Sequence, residues 1–237
     1  MYELKAKPKS ALAIFAHPDD ADVACGGTLA LWSSLGARVG LVVCTRGEKG
    51  TVDVGLKPDD LAEQRAEEVR SASRFLGVDE LYLLELNDGE VTNTLDLRSR
   101  LVGLVRRFRP EVVLTPDPTA VFFGEHIYNH RDHRELGYAV LDSIFPAAML
   151  PHYFPDDQPP HRVTTALLAG ALEPTCVVDI SGSLELKIQA VTCHRSQLQG
   201  EAEAMDHVLR ARASELGRRL GLRYCEAFRR ISPAGTQ

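Results

Sequence analysis

Long apolar runs are missing from this chain of 237 residues. The first apolar stretch, Ala11 to Ala16, is far too short for a signal-peptide core or a membrane span. A cytoplasmic protein without a membrane partner is therefore expected. An excess of positive charge is missing as well: 33 acidic residues outnumber 27 basic ones, the net charge is -6, and both signs are mixed along the chain. Such a surface offers no continuous path to a phosphate backbone, which excludes nucleic acid as the expected partner. No CxxC pair occurs. The cysteines, Cys25, Cys44, Cys176, Cys193 and Cys225, are odd in number and scattered, a pattern of buried thiols in a reducing compartment rather than of a disulfide framework. The chain also lacks internal repeats, low-complexity tracts and an obvious linker. Gly26-Gly27 lacks the first glycine of GxGxxG, and no acidic residue closes the strand near Val43, so a dinucleotide cradle is not expected.

What is present suits one α/β domain over residues 1–237. Hydrophobic residues make up 44% of the chain, enough for a sizeable core. Apolar runs of strand length alternate with stretches of helical period: Ala11–Ala16, Arg38–Thr45, Leu81–Leu86, Glu111–Thr115, Ala166–Ala169 and Cys176–Ile180 read as strands. Between and after them, helices are expected from near Gly27-Thr28, from Asp59-Asp60 to Leu76 with Gly77 as its stop, and over Leu95–Phe108, Asp132–Phe145, Leu184–Cys193 and Glu201–Gly221. This succession predicts a Rossmann-like three-layer fold around a mostly parallel sheet. The segment from Pro116 to Asn129 exceeds the usual length of a structural connection, and loops of that size often carry function.

In an open parallel sheet, ligands sit at the carboxyl ends of the strands. Two loops placed there concentrate chemistry: His17-Pro18-Asp19-Asp20 after the first strand, and His130-Arg131-Asp132-His133 after the fourth strand and its long loop. A lone histidine after a strand is more often a hydrogen-bonded loop residue, and an isolated Asp-Asp more often a turn or helix cap. Imidazoles and carboxylates from two such loops together make a zinc-type ligand set. A catalytic zinc takes three protein ligands and leaves a place for water, so the site also needs a carboxylate to accept the water's proton and a donor for the developing oxyanion. Adjacent aspartates could divide the work, one binding metal and one acting as base. His126, His152, His161 and His207 lack this context.

Phe15-Ala16-His17-Pro18-Asp19-Asp20 followed by Cys25-Gly26-Gly27-Thr28 resembles the AHPDD…GGT signature of the PIG-L/LmbE-like N-acetylglucosaminyl deacetylases. Thr45-Arg46-Gly47-Glu48, Arg65-Ala66-Glu67-Glu68, His130-Arg131-Asp132-His133, and Lys187 with His194-Arg195-Ser196-Gln197 are similar to further elements of the family, in order. The resemblance implies that His17, Asp20 and His133 bind zinc, that Asp19 is the general base, and that His130 donates to the oxyanion with Asp132 orienting it and raising its pKa. It implies substrate contact for Arg65, with Arg46 as a rival for that role, and groups His194 with the substrate-binding residues. It departs from the pattern at Ala21-Asp22, where many members carry Glu, and at Arg131, where many carry Pro. The implied reaction removes the N-acetyl group from an N-acetylglucosamine conjugate or small chitooligosaccharide, releasing acetate and a free amine. The alternatives are an amidase acting on a thiol conjugate with the same site, and a sugar- or metal-binding module without turnover. Two histidines and one carboxylate also suit iron(II). Phe122-Phe123 is either a plug anchoring its loop or a sugar-stacking surface. A closed homo-oligomer, trimer or hexamer, is expected, with Phe145–Tyr153 at its interface.

Overall fold

The computed structural model describes residues 1–218 and 220–232. In chain order its elements are β1 (Tyr2–Glu3), β2 (Ser10–Phe15), α1 (Asp20–Ser34), β3 (Arg38–Thr45), α2 (Pro58–Leu76), β4 (Glu80–Leu86), α3 (Leu95–Phe108), β5 (Val112–Pro116), β6 (Phe122–Phe123), β7 (Ile127–Tyr128), α4 (Arg131–Ile144), a 3₁₀ turn (Ala147–Met149), β8 (Thr165–Ala169), β9 (Cys176–Asp179), α5 (Leu184–Thr192), α6 (Arg195–Leu198), α7 (Ala202–Arg218) and β10 (Cys225–Ile231). No helix among the described residues is long and apolar enough to cross a membrane.

An eight-stranded sheet runs in the order β1-β9-β10-β8-β5-β2-β3-β4. Its pairs are parallel except those of β10, which runs antiparallel to both β8 and β9. Because side chains alternate across a strand, β2 serves two cores at once. Ala11, Ala13 and Phe15 pack with α1, α2, α5 and α7, whereas Leu12, Ile14 and Ala16 pack with α3 and α4. The central strands are apolar on both faces, as a sheet covered on both sides requires. Each buried aliphatic side chain contributes roughly 1.5–3 kcal/mol by leaving water. From β2 the chain proceeds outward through β3 and β4, and later returns to the other side of β2 through β5 and β8. The boundary between β2 and β5 is therefore a topological switch point, where the loops diverge and leave a crevice.

Several expectations need correction. The first helix begins at Asp20, well before Gly27-Thr28, so the glycines lie inside α1. A Cβ on Gly27 would lie 2.8 Å from the Ile180 side chain, so glycine is required for the close approach of α1 to the β9–α5 turn. The segment Pro116 to Asn129 contains the small β6–β7 hairpin. Strands β1 and β10 were not anticipated. In β10, Glu226 points inward, and its carboxylate accepts from the amides of Gly27 and Thr28 at 3.0 and 2.7 Å and from Lys187 Nζ at 2.5 Å. Lys187 also donates to Val23 O at 2.7 Å. A charge invisible to strand patterning is thus compensated by partners distant in sequence.

The Phe145–Tyr153 stretch, expected at an interface, is largely tied inward. The Arg106 guanidinium, itself buried, donates to the carbonyls of Ala147, Ala148, Leu150, Tyr153 and Phe154. Ala147 and Ala148 are buried, whereas Leu150 and Tyr153 present surface. All five cysteines are free thiols, four of them buried and Cys193 half-buried.

Candidate active site

Both chemistry-bearing loops open into the crevice at the switch point. β2 ends at Phe15 and α1 starts at Asp20, so His17, Pro18 and Asp19 occupy the turn between them. β5 ends at Pro116, and the long segment beyond it delivers His130 as the N-cap of α4 and His133 within the first turn. The amino ends of two helices thus face the crevice, where their dipoles favour the Asp20 and Asp132 carboxylates.

Three groups converge. His17 Nδ1 lies 3.1 Å from His133 Nε2 and 3.2 Å from Asp20 Oδ2, and His133 Nε2 lies 3.1 Å from Asp20. One ligand atom from each of His17, Asp20 and His133 can lie within 4.8 Å of the others. Donors bound tetrahedrally at zinc distances would be roughly 3.3 Å apart, so this set fits a small divalent cation. The other ring nitrogens are already engaged. His133 Nδ1 lies 3.0 Å from Asn129 Oδ1, an acceptor that directs the N–H there and leaves Nε2 with its lone pair facing the group. His17 Nε2 faces Asp88 at 3.2 Å and Asp132 at 3.3 Å, which leaves Nδ1 for the cation. Such outer partners fix tautomer and ring orientation in metal sites. A second set, His17, His130 and Asp132, also clusters. Its Asp132 carboxylate is occupied by the amides of Gly89 and Val91 at 2.7 and 3.2 Å, which makes it a support rather than an open ligand.

Electrostatics follow from this crowding. Burial opposes charge on His17, but hydrogen bonds with Asp132, Asp20 and Asp88 outweigh it and push the imidazole up to about 12. Burial likewise opposes ionisation of Asp20, yet His133 and His17 hold its carboxyl far below the usual range. Asp19 goes the other way: burial and the adjacent Asp20 charge push it up to about 7. Asp19 is the N-cap of α1, but its carboxylate takes no capping hydrogen bond, so the helix-cap explanation fails for it and the group is free to act. Its backbone sits at φ 95°, a conformation that costs a non-glycine residue on the order of 1–3 kcal/mol and persists only where the surroundings enforce it.

The remaining sequence-derived residues fall into different places. Asp132 was expected to orient His130 and raise its pKa; its charge does act in that direction, but its carboxylate bonds to His17 and not to His130. The contact to His130 is the Asp132 amide, donating to His130 Nδ1 at 3.2 Å. Burial and the neighbouring His17 charge lower the His130 pKa. His130 stands edge-on to His17, ring centroids 4.7 Å apart. Arg65 does border the site, but its guanidinium is committed to the carbonyls of Gly47 and Gly50, bracing that loop. Arg46 turns away to Asp59 at 2.8 Å and lines a separate depression between α2 and the β3–β4 edge. His194 is 1% exposed, lies 3.1 Å from Asp22, and lines neither cleft at the metal group. Neither Arg46 nor His194 thus lines the clefts at His17, Asp20 and His133.

Two clefts share Asp19, Asp20, His130 and His133. One, of about 350 Å³, is polar and bordered by Arg65, Asp88 and Gln197. The other, of about 400 Å³, is bordered by Val23, Phe123, Ile127 and Tyr128, with Arg212 nearby. Phe123 therefore belongs to the cleft wall, whereas Phe122 is 63% exposed and packs at 5.6 Å on the Tyr128 ring. Sequence reasoning missed Asp88 and Asn129, and gave Gln197 no role of its own within the family-like segment 194–197. Asp88 lies in the turn after β4, at the carboxyl end of a strand, and Asn129 lies one helical turn before His133; both signals were readable.

Residues 12–144 match the family described as PIG-L: GlcNAc-PI de-N-acetylase. Diacetylchitobiose deacetylase of Thermococcus kodakarensis is 32% identical over 226 residues, spanning 93% of this chain and 82% of that protein. The 1D-myo-inositol 2-acetamido-2-deoxy-alpha-D-glucopyranoside deacetylase of Kineococcus radiotolerans is 28% identical, over 84% of this chain and 71% of that one. Among solved structures, N,N'-diacetylchitobiose deacetylase from Pyrococcus horikoshii superposes with a TM-score of 0.86 at 32% identity, covering 95% of this chain and 84% of that one. By the match over 12–144 and these relatives, the chain belongs to the PIG-L, GlcNAc-PI de-N-acetylase family.

Proposed function

We propose that this chain is a zinc-dependent hydrolase that removes the N-acetyl group from an N-acetylglucosamine conjugate of the chitobiose or inositol-glycoside class. The observation that carries the reading is the convergence of His17, Asp20 and His133 beside an unspent Asp19 carboxylate. His17, Asp20 and His133 would hold the ion. When bound there, zinc polarises the amide carbonyl and brings the pKa of a water to about 7.

The chain's own residues do the rest. Asp19, bordering both clefts, accepts the proton of the attacking water and returns one to the departing amine, so that acetate and a free amino sugar leave. His130, at the lip of the same group, faces the carbonyl oxygen as it gains negative charge and donates to it. Asp132 and Asp88 hold the His17 ring, and Asn129 holds His133. The polar cleft with Asp88 receives sugar hydroxyls, and Arg65 shapes it through the Gly47–Gly50 loop. A binding module without turnover needs neither Asp19 nor His130, which is why the hydrolytic reading is preferred.

The test is acetate release from diacetylchitobiose and from a GlcNAc-inositol glycoside, by chelator-treated protein and by protein reloaded with zinc or with iron(II). Release that returns with zinc and is lost in Asp19→Asn, which should still bind metal, supports the reading. Metal-loaded protein that binds these sugars and releases no acetate from either refutes it.

A further inference from the structure

The strained Asp19 backbone must be held by something; its own loop supplies the Asp20 amide on His17 O and the Asp20 carboxylate on the His17 amide, and neither bond engages the Pro18 carbonyl. We propose that the turn 194–197 is a positioning device for Asp19, and that Gln197 is the residue that clamps it through the Pro18 carbonyl. The inference builds on the reading of Asp19 as proton acceptor and adds the group that keeps it in place.

The turn touches the site's frame at three points. Gln197 Nε2 donates to Pro18 O at 2.6 Å, fixing the peptide that leads into Asp19 from outside its own loop. Ser196 anchors the turn to α2: its amide and Oγ donate to the Glu68 carboxylate at 2.9 and 2.6 Å. His194 anchors it to α1, Nε2 lying 3.1 Å from Asp22 in a fully buried pair. The main chain closes the turn, with the amides of Gln197 and Leu198 both donating to His194 O at 3.1 Å. His, Ser and Gln of His194-Arg195-Ser196-Gln197 thus have separate duties, two fastening the turn and one applying it to the Pro18-Asp19 peptide. The fourth, Arg195, makes none of these contacts.

Energetics and geometry select Asp19 as the beneficiary. A residue at φ 95° relaxes unless the flanking peptides are pinned. On the far side, Asp20 is pinned by its place in α1 and by its carboxylate, which accepts the His17 amide at 2.8 Å. On the near side, Pro18 has no amide to donate, and its carbonyl is held by Gln197. Releasing that carbonyl lets the peptide rotate and swings the Asp19 carboxylate. His17 and His133 keep their own supports in Asp88, Asp132 and Asn129.

The experiment compares wild type, Gln197→Leu, Asp19→Asn and the double variant, all zinc-loaded, with diacetylchitobiose as substrate. Gln197→Leu is expected to lower kcat about tenfold to a hundredfold, the cost of displacing a catalytic group by around 1 Å. KM should stay within about twofold and metal content should be unchanged. In the Asp19→Asn background, where the carboxylate is gone and asparagine tolerates the left-handed region, removing Gln197 should cost nothing more. A crystal structure of Gln197→Leu supplies a readout independent of turnover: Asp19 should leave the left-handed region while His17, Asp20 and His133 stay together. Gln197→Glu keeps the size, loses the donor and should behave as Gln197→Leu, which covers a leucine variant that fails to fold. The inference is overturned if kcat is kept, if the double variant falls by the product of the single losses, if metal is lost, or if Asp19 keeps its φ. Should wild type release no acetate while Asp19 still relaxes in Gln197→Leu, the deacetylase reading fails and the clamp stands.

Discussion

The turn after β2 and the segment after β5 meet at the cluster of His17, Asp20 and His133 yet are built in opposite ways. Residues 16–19 are short, largely enclosed and strained at Asp19, with remote partners on two of them: Gln197 on Pro18, Asp88 and Asp132 on His17. Residues 117–130 are long and partly paired as a hairpin, and they expose Phe122, Ile127 and Tyr128. The contrast separates two requirements. Proton transfer tolerates little displacement, and the role proposed for Asp19 accords with a place where the fold leaves it little freedom. Substrate choice profits from surface that can change without disturbing the core, and that surface is the hairpin.

Perturbing the short turn should have the largest effects. His133→Ala removes one of three ligands and is expected to abolish both metal retention and acetate release, read by elemental analysis and acetate assay on the same sample. Asp19→Ala should keep about one metal per chain and lose about 10²- to 10⁴-fold in kcat; loss of metal together with activity would erase the distinction between ligand and base. The support beneath the turn comes next. Glu226→Ala leaves Lys187 charged and buried, which costs about 3–5 kcal/mol, an expected fall of roughly 6–20 °C in Tm for a chain of this size. Unchanged Tm would mean that the pair is replaceable. The smallest effects belong to the hairpin: Tyr128→Ala should raise KM about 3- to 10-fold for diacetylchitobiose with kcat held, in line with about 0.5–1.5 kcal/mol for an aromatic contact. A kcat loss there as large as that of Asp19→Ala would break the contrast between the two loops.

Much of this was legible beforehand because it is local. β3 and α3 were placed to the residue, since an apolar run and a helical period are set within a few neighbours. Gly77 stops α2 at φ 65° because that conformation needs no partner to favour glycine. The two loops could be paired because the strand-to-helix loops of a parallel sheet must end at one edge, whereas the choice of His17, Asp20 and His133 among their residues came from the family resemblance. Where α1 begins was misjudged, because Gly26-Gly27 reads as a helix start although close packing against Ile180, not backbone freedom, is what requires glycine at Gly27.

By itself, the order of residues determined the α/β alternation, the two loops that carry the chemistry, and the kinds of ligand they offer. All of these follow from periodicity and side-chain chemistry over short stretches. Tertiary structure alone decided which nitrogen of His17 faces Asp20 and His133, that the Asp132 carboxylate bonds to His17, that Arg46 and His194 stand apart from the clefts, and that a charged strand could enter the sheet's interior beside Lys187. Each of these depends on a partner that lies from 13 to 172 residues away in the chain, and whether a polar group is a ligand, a brace or a buried ion pair is settled by what packs against it.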